Sequence, residues 1–232
     1  MMVPDLPTRL SFATLALAVG FGGVAMADAA RSSPHDHDRG VHTGMGVDPF
    51  GHTRVLRRSE PSAADFVRAR ALTARLAAAI APFATTERAV AAGYITTDER
   101  VPVGSLKHYV NERNFERGMH GFDPDAPMAL LYRRTDAGFE LAGAMYDAPI
   151  ASTPAELDRR VPISLGQWHA HVKICQPKRG ASVPPKLADG FGFSGWIANE
   201  TECARAGGNF IPVVYGWMVH VYPFAGDPAA WF

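Results

Sequence analysis

Residues 166–177 read GQWHAHVKICQP. Alternation over this stretch divides it into two faces, because successive side chains of a β-strand point to opposite sides. Trp168, Ala170, Val172 and Ile174 form an apolar set, and His169, His171 and Lys173 form a polar one. A second stretch, IPVVYGWMVHVYPF at 211–224, divides in the same way. Trp217, Val219 and Val221 lie on its apolar face, opposite Met218, His220 and Tyr222. Both runs are rich in β-branched and aromatic residues, as strands are.

Further short strands surround these two. SLKHYV at 105–110 is one, and APMALLYRR and GFELAGAMY flank a hairpin signal at Thr135–Gly138. Helices come first. In PSAADFVRARALTARLAAAIAPF, Phe66, Leu72, Leu76, Ile80 and Phe83 recur near a helical period, with Ser62 as cap and Pro82 as stop. TTERAVAAGY follows, capped by Thr85 or Thr86 and ended by Gly93. A helical turn is expected in GWIANETECARAGG, closed by Gly207 or Gly208. Helices followed by antiparallel strands, without βαβ alternation, predict an α+β fold: N-terminal helices and then an antiparallel β-sheet, sandwich or small barrel.

The N-terminus carries an address. Arg9 precedes the apolar run LSFATLALAVGFGGVAMA, and Ala25 and Ala27 supply the small residues that a signal peptidase reads. The expected organisation is a signal peptide at 1–27, a flexible His-containing tail at 28–60 and a single globular domain at 61–232. Cleavage would place the chain in the periplasm or outside the cell, with no membrane attachment afterwards. The tail holds His35, His37, His42 and His52, a set that could capture metal ions. Lys plus Arg and Asp plus Glu number 23 each, so no basic footprint for nucleic acid exists. Export also decides the reading of Cys175 and Cys203: an even number of cysteines in an oxidising compartment predicts a disulfide.

Two histidines at i and i+2 on a strand share a face and can chelate one ion, and a third from another strand would fix its geometry. His169, His171 and His220 are the expected ligands, with His108 of SLKHYV the fourth. His120 in RGMHGFDPD is an alternative, and Glu112 a possible carboxylate ligand or base. The plain alternative is a solvated polar face. Imidazole-rich sites suit several transition metals. Met119 and Met218, each next to or near a histidine, incline the choice to copper, with zinc second.

The H-x-H pair with a distant His is similar to the metal site of cupins, although Lys173–Pro177 contain no glutamate where a cupin has one. LKHYVN, PMALLY, FELAGAMY and WHAHV resemble blocks of uncharacterised exported bacterial proteins, which implies export and a His-bearing domain. Gly190, Gly192 and Gly195 have dinucleotide-fingerprint spacing, but no strand precedes them and no helix follows. There is no P-loop, H-E-x-x-H, C-x-x-C or G-x-S-x-G. Three functions remain: a transition-metal-binding protein, a metal-dependent enzyme of oxygenase or hydrolase type at the same site, or a metal-free ligand-binding domain using Trp168, Trp196 and Trp217.

Overall fold

The computed structural model describes residues 48–96, 101–226 and 230–232. The signal segment and His35, His37 and His42 lie outside the described residues. In chain order the elements are β1 (Thr53–Val55), α1 (Ala63–Ile80), α2 (Thr86–Ala91), β2 (Leu106–Val110), α3 (Glu112–His120) and β3 (Ala129–Thr135). There follow β4 (Gly138–Ala148), α4 (Pro154–Arg160), β5 (His169–Pro177), α5 (Pro185–Ala188), α6 (Glu200–Arg205) and β6 (Gly208–Val221). The six strands make one antiparallel sheet in the order β1-β5-β6-β4-β3-β2. This is the expected α+β fold. No described helix is long and apolar enough to cross a membrane.

Helix α1 begins where Ser62 accepts from the Asp65 amide and Asp65 returns a bond to the Ser62 amide, a reciprocal cap. Ala69, Leu72, Thr73, Leu76 and Ile80 are its buried residues, a spacing that keeps one side of the helix on the sheet. Phe66, expected on that side, is 41% exposed one turn too early to reach it. Beneath α1, Leu130, Tyr132, Ala144, Tyr146, Trp168, Ala170, Trp217, Val219 and Val221 form the main core. The apolar faces of β5 and β6 therefore point where alternation placed them. Burial of this face is the principal stabilising term, since apolar area removed from water contributes about 25 cal/mol per Å².

The sheet includes residues before the expected boundary at residue 61. β1 pairs with β5, and the preceding His52 is 1% exposed. Its Nδ1 lies 3.2 Å from the Val172 carbonyl and its Nε2 2.6 Å from the Gly195 carbonyl. His52 is thus an interior clasp between the sheet edge and a loop, not a tail ligand. A single buried polar residue bonded to two carbonyls leaves no periodic trace in a segment that otherwise lacks core-forming residues.

Three helices, α3, α4 and α5, lie where the sequence pattern predicts none. Asn111 caps α3 by accepting from the Asn114 amide, and Thr153 with Glu156 forms a capping box on α4. The segment around His120 is consequently the end of a helix rather than a glycine loop.

Cys175 and Cys203 are bonded, with 5.5 Å between their Cα atoms. Strict alternation would put Cys175 on the histidine face. The left-handed backbone of Lys173 (φ 59°) interrupts it, and both Ile174 and Cys175 are buried. Gly208 opens β6 against the bridge, where a Cβ would stand 2.8 Å from the Cys203 sulfur. The cysteines are 28 positions apart. Replacing both by serine should cost about 3.6 kcal/mol by loop-closure entropy. Denaturant unfolding of the double variant beside the oxidised wild type measures the loss, and reductant added to the wild type should reproduce it.

Candidate metal centre

The second face of the sheet is the one that carries imidazoles. The register places Met145 of β4 opposite His220 of β6, and Met218 of β6 opposite His169 of β5. Met128, Ala129, Leu131, Met145, Met218 and Tyr222 make a small buried cluster on this side, and Phe115 of α3 packs against it. Helix α3 therefore lies over the histidine face, while α1 covers the other.

Four histidines meet there. Nε2 of His108 stands 3.5 Å from Nε2 of His220. Ring centroids are 5.4 Å apart for His108 and His220, 5.4 Å for His169 and His220, and 5.3 Å for His169 and His171. His108 belongs to β2, three strand positions from β6. In a flat sheet that would be about 14 Å. The rings touch because both side chains lean inward across a face that curls over the small residues Ala129 and Gly143. At Gly143 a Cβ would collide with the Val221 carbonyl, so only glycine lets the strands close up here.

A bulge adjusts the other pair. His169 is opposite Met218, yet His171 is opposite Val214, so β6 spends two additional residues between them. These are Tyr215 (φ 59°) and Gly216 (φ 95°), both left-handed. Such insertions bend a strand and re-aim its neighbours, and they recur beside functional sites. For tyrosine the conformation costs roughly 1–3 kcal/mol. Tyr215 is thrown outward, 43% exposed, and meets Phe115 edge-on with ring centroids 5.4 Å apart.

The δ-nitrogens have their own partners. Nδ1 of His169 is 3.2 Å from the Gln167 carbonyl. A carbonyl only accepts, so Nδ1 carries a proton in this bond. Nδ1 of His220 is 3.1 Å from the Tyr222 hydroxyl, and Nδ1 of His171 is 3.5 Å from the Thr53 hydroxyl. Phe193 adds an edge-on ring against His171, with 4.9 Å between centroids.

Alternation in the sequence did not single out Asp147. It is 3% exposed, two residues from Met145 and opposite Met218. Its Oδ2 has no hydrogen-bond partner, and its carboxyl group touches α3 at Gly118, where any Cβ would collide with it. Burial pushes the carboxyl up to about 7, against the opposing pull of the Arg160 guanidinium. Arg160 meanwhile donates to the carbonyls of Gly118 and Asp147 at 2.6 and 2.8 Å. A lone Asp within the apolar run GFELAGAMYDA was the available signal.

The remaining expectations fare differently. His120 is exposed at the end of α3, and Glu112 is exposed in its first turn. Trp168 and Trp217 are buried in the main core, donating to the carbonyls of Val161 and Ile150, while Trp196 is 43% exposed. The three therefore form no common exposed platform. Among the described residues, no three His, Cys, Asp or Glu side chains already surround one point as an ion-holding group. Comparison with known proteins finds no matching family, no matching curated protein and no matching solved structure.

The folded protein keeps the Asp147 proton to about pH 7, whereas the unfolded chain releases it near its ordinary value of 3.8. Stability of the metal-free protein should therefore fall as pH rises from about 4 to about 7, by up to about 1.4 kcal/mol per pH unit from this group. Urea unfolding across that range should show a flatter profile for Asp147→Asn.

Proposed function

We propose that the protein is an exported transition-metal-binding protein, with His108, His169, His171 and His220 supplying the ligands from the second face of the sheet. The observation that carries this reading is the contact between the ε-nitrogens of His108 and His220, 3.5 Å apart. Two nitrogens each about 2.05 Å from one ion at a tetrahedral angle stand about 3.3 Å apart. The present spacing also suits one ring donating to the other, and a bound cation would take the place of that proton. The δ-nitrogen partners support the same reading. A ligating imidazole usually directs its other nitrogen to a carbonyl, carboxylate or hydroxyl, which fixes the ring and the tautomer. Gln167, Tyr222 and Thr53 stand where such partners are required.

Ion uptake in this reading brings Nε2 of His169 and His171 toward the His108–His220 pair by small side-chain adjustments that keep the δ-nitrogen partners. Copper and zinc are the ions of choice for an imidazole set. The disulfide between Cys175 and Cys203 is compatible with export, since such bonds persist in oxidising compartments.

A second reading, a metal-dependent enzyme of oxygenase or hydrolase type, draws on one observation. Asp147 presents a buried carboxyl oxygen without a partner on the histidine face. A group so placed can serve a reacting ligand as base or acid. Asp147→Asn separates the two readings: an enzyme keeps its ion and loses turnover, whereas a binding protein retains both its ion and its transfer behaviour.

Elemental analysis of the full chain, purified without an affinity tag, tests the first reading. Replacing His35, His37 and His42 by Asn in parallel removes the tail as a source of ligands. About one equivalent of a single transition metal is expected in both chains. His169→Ala with His171→Ala should abolish it while the circular dichroism of the metal-free protein stays unchanged. Undiminished metal content in that double variant would sink the reading.

A further inference from the structure

Methionine is unevenly distributed through the interior. The main core beneath α1 has twenty buried residues and no methionine. The cluster beneath the imidazoles has six, and three of them are Met128, Met145 and Met218. Methionine used simply as an adaptable filler would appear in both cores, and in the larger one first. Two of the three also hold defined positions. Met145 is directly opposite His220 and Met218 directly opposite His169, both on the imidazole face and 4% and 3% exposed. Residues directly opposite in an antiparallel ladder have Cβ atoms about 4.5–5.5 Å apart. A thioether at the end of an unbranched chain can swing from there to an ion held by the neighbouring ring.

The donor set decides the ion. Oxygen donors would select hard cations, and imidazoles alone leave zinc and copper level. Imidazoles with buried thioethers favour the soft monovalent state of copper, which zinc, a borderline ion with no affinity for thioethers in structural sites, does not match. We propose, on the metal-binding reading above, that the ion is copper(I) and that the sulfurs of Met145 and Met218 complete its coordination. Burial of both side chains keeps water from the ion on that side and so disfavours the divalent state, which prefers nitrogen and oxygen ligands.

Anaerobic competition of the full chain against a coloured copper(I) chelator tests this, with zinc affinity measured in parallel against a zinc-sensitive dye. The variant is Met145→Leu/Met218→Leu, a substitution that conserves volume and so spares the cluster. Copper(I) affinity should fall by about tenfold or more, zinc affinity should stay the same, and sulfur scattering should vanish from the copper X-ray absorption spectrum. Met128→Leu alone, in the same cluster but with no histidine opposite it in the ladder, should change none of these. If the double variant does not fold, the two single variants carry the same test. Unchanged copper(I) affinity, or a wild-type spectrum with nitrogen scatterers alone, overturns the thioether assignment. Zinc bound tightly and copper(I) weakly overturns it too, and leaves the histidine reading standing. Neither ion bound by the wild type overturns both.

Discussion

Strands β5 and β6 exchange backbone hydrogen bonds from His169–Met218 at one end to Pro177–Gly208 at the other, and this antiparallel ladder sets the rest of the molecule. A ladder forces a strict division of side chains between two faces. Trp168, Ala170, Trp217, Val219 and Val221 on one face need an apolar cover, and α1 supplies it. Once that face is closed, His169, His171 and His220 have only the other. A shift of one residue in register would put the tryptophans under α3 and these three imidazoles in the apolar main core.

The ladder is not regular, and its irregularities are concentrated around the histidines. Tyr215 and Gly216 widen β6 between the partners of His169 and His171, and Lys173 turns the far end of β5 so that Cys175 can reach Cys203. A second register shift falls between Leu131 and Tyr132 of β3, next to the strand that carries His108. Bulges add bend and twist to a sheet. Together with Gly143 they give the face the concavity that brings rings from β2 and β6 into contact. The backbone strain at Tyr215 and the orphaned oxygen of Asp147 lie on this same side. Both features cost stability locally.

Helix α3 gives the face its second boundary. Phe115 packs on the methionine cluster and meets Tyr215, and Gly118 accepts the close approach of Asp147. Arg160 of α4 donates to the carbonyls of both Gly118 and Asp147, so one guanidinium also ties α3 to β4. The imidazoles thus lie on the face of the sheet that α3 covers, with the aromatic rings of Phe193 and Tyr222 beside them.

Alternation and capping in the sequence were enough to determine the two-faced strands β5 and β6, helices α1 and α2 and the hairpin at Thr135–Gly138, and the even cysteine count was enough for the bridge. Each is a local pattern, or a pairing with one partner available. The same alternation put His169, His171 and His220 on one side of a sheet, because period two needs no knowledge of the neighbouring strands. Tertiary structure alone decided that His108, three strands away, would meet His220, since curvature arises from bulges and glycines whose effect accumulates across strands. It alone also decided the burial of His52 and Asp147 and the cover provided by α3. A residue that belongs by sequence to a polar spacer or an apolar strand becomes a clasp or an orphaned acid only through what packs against it.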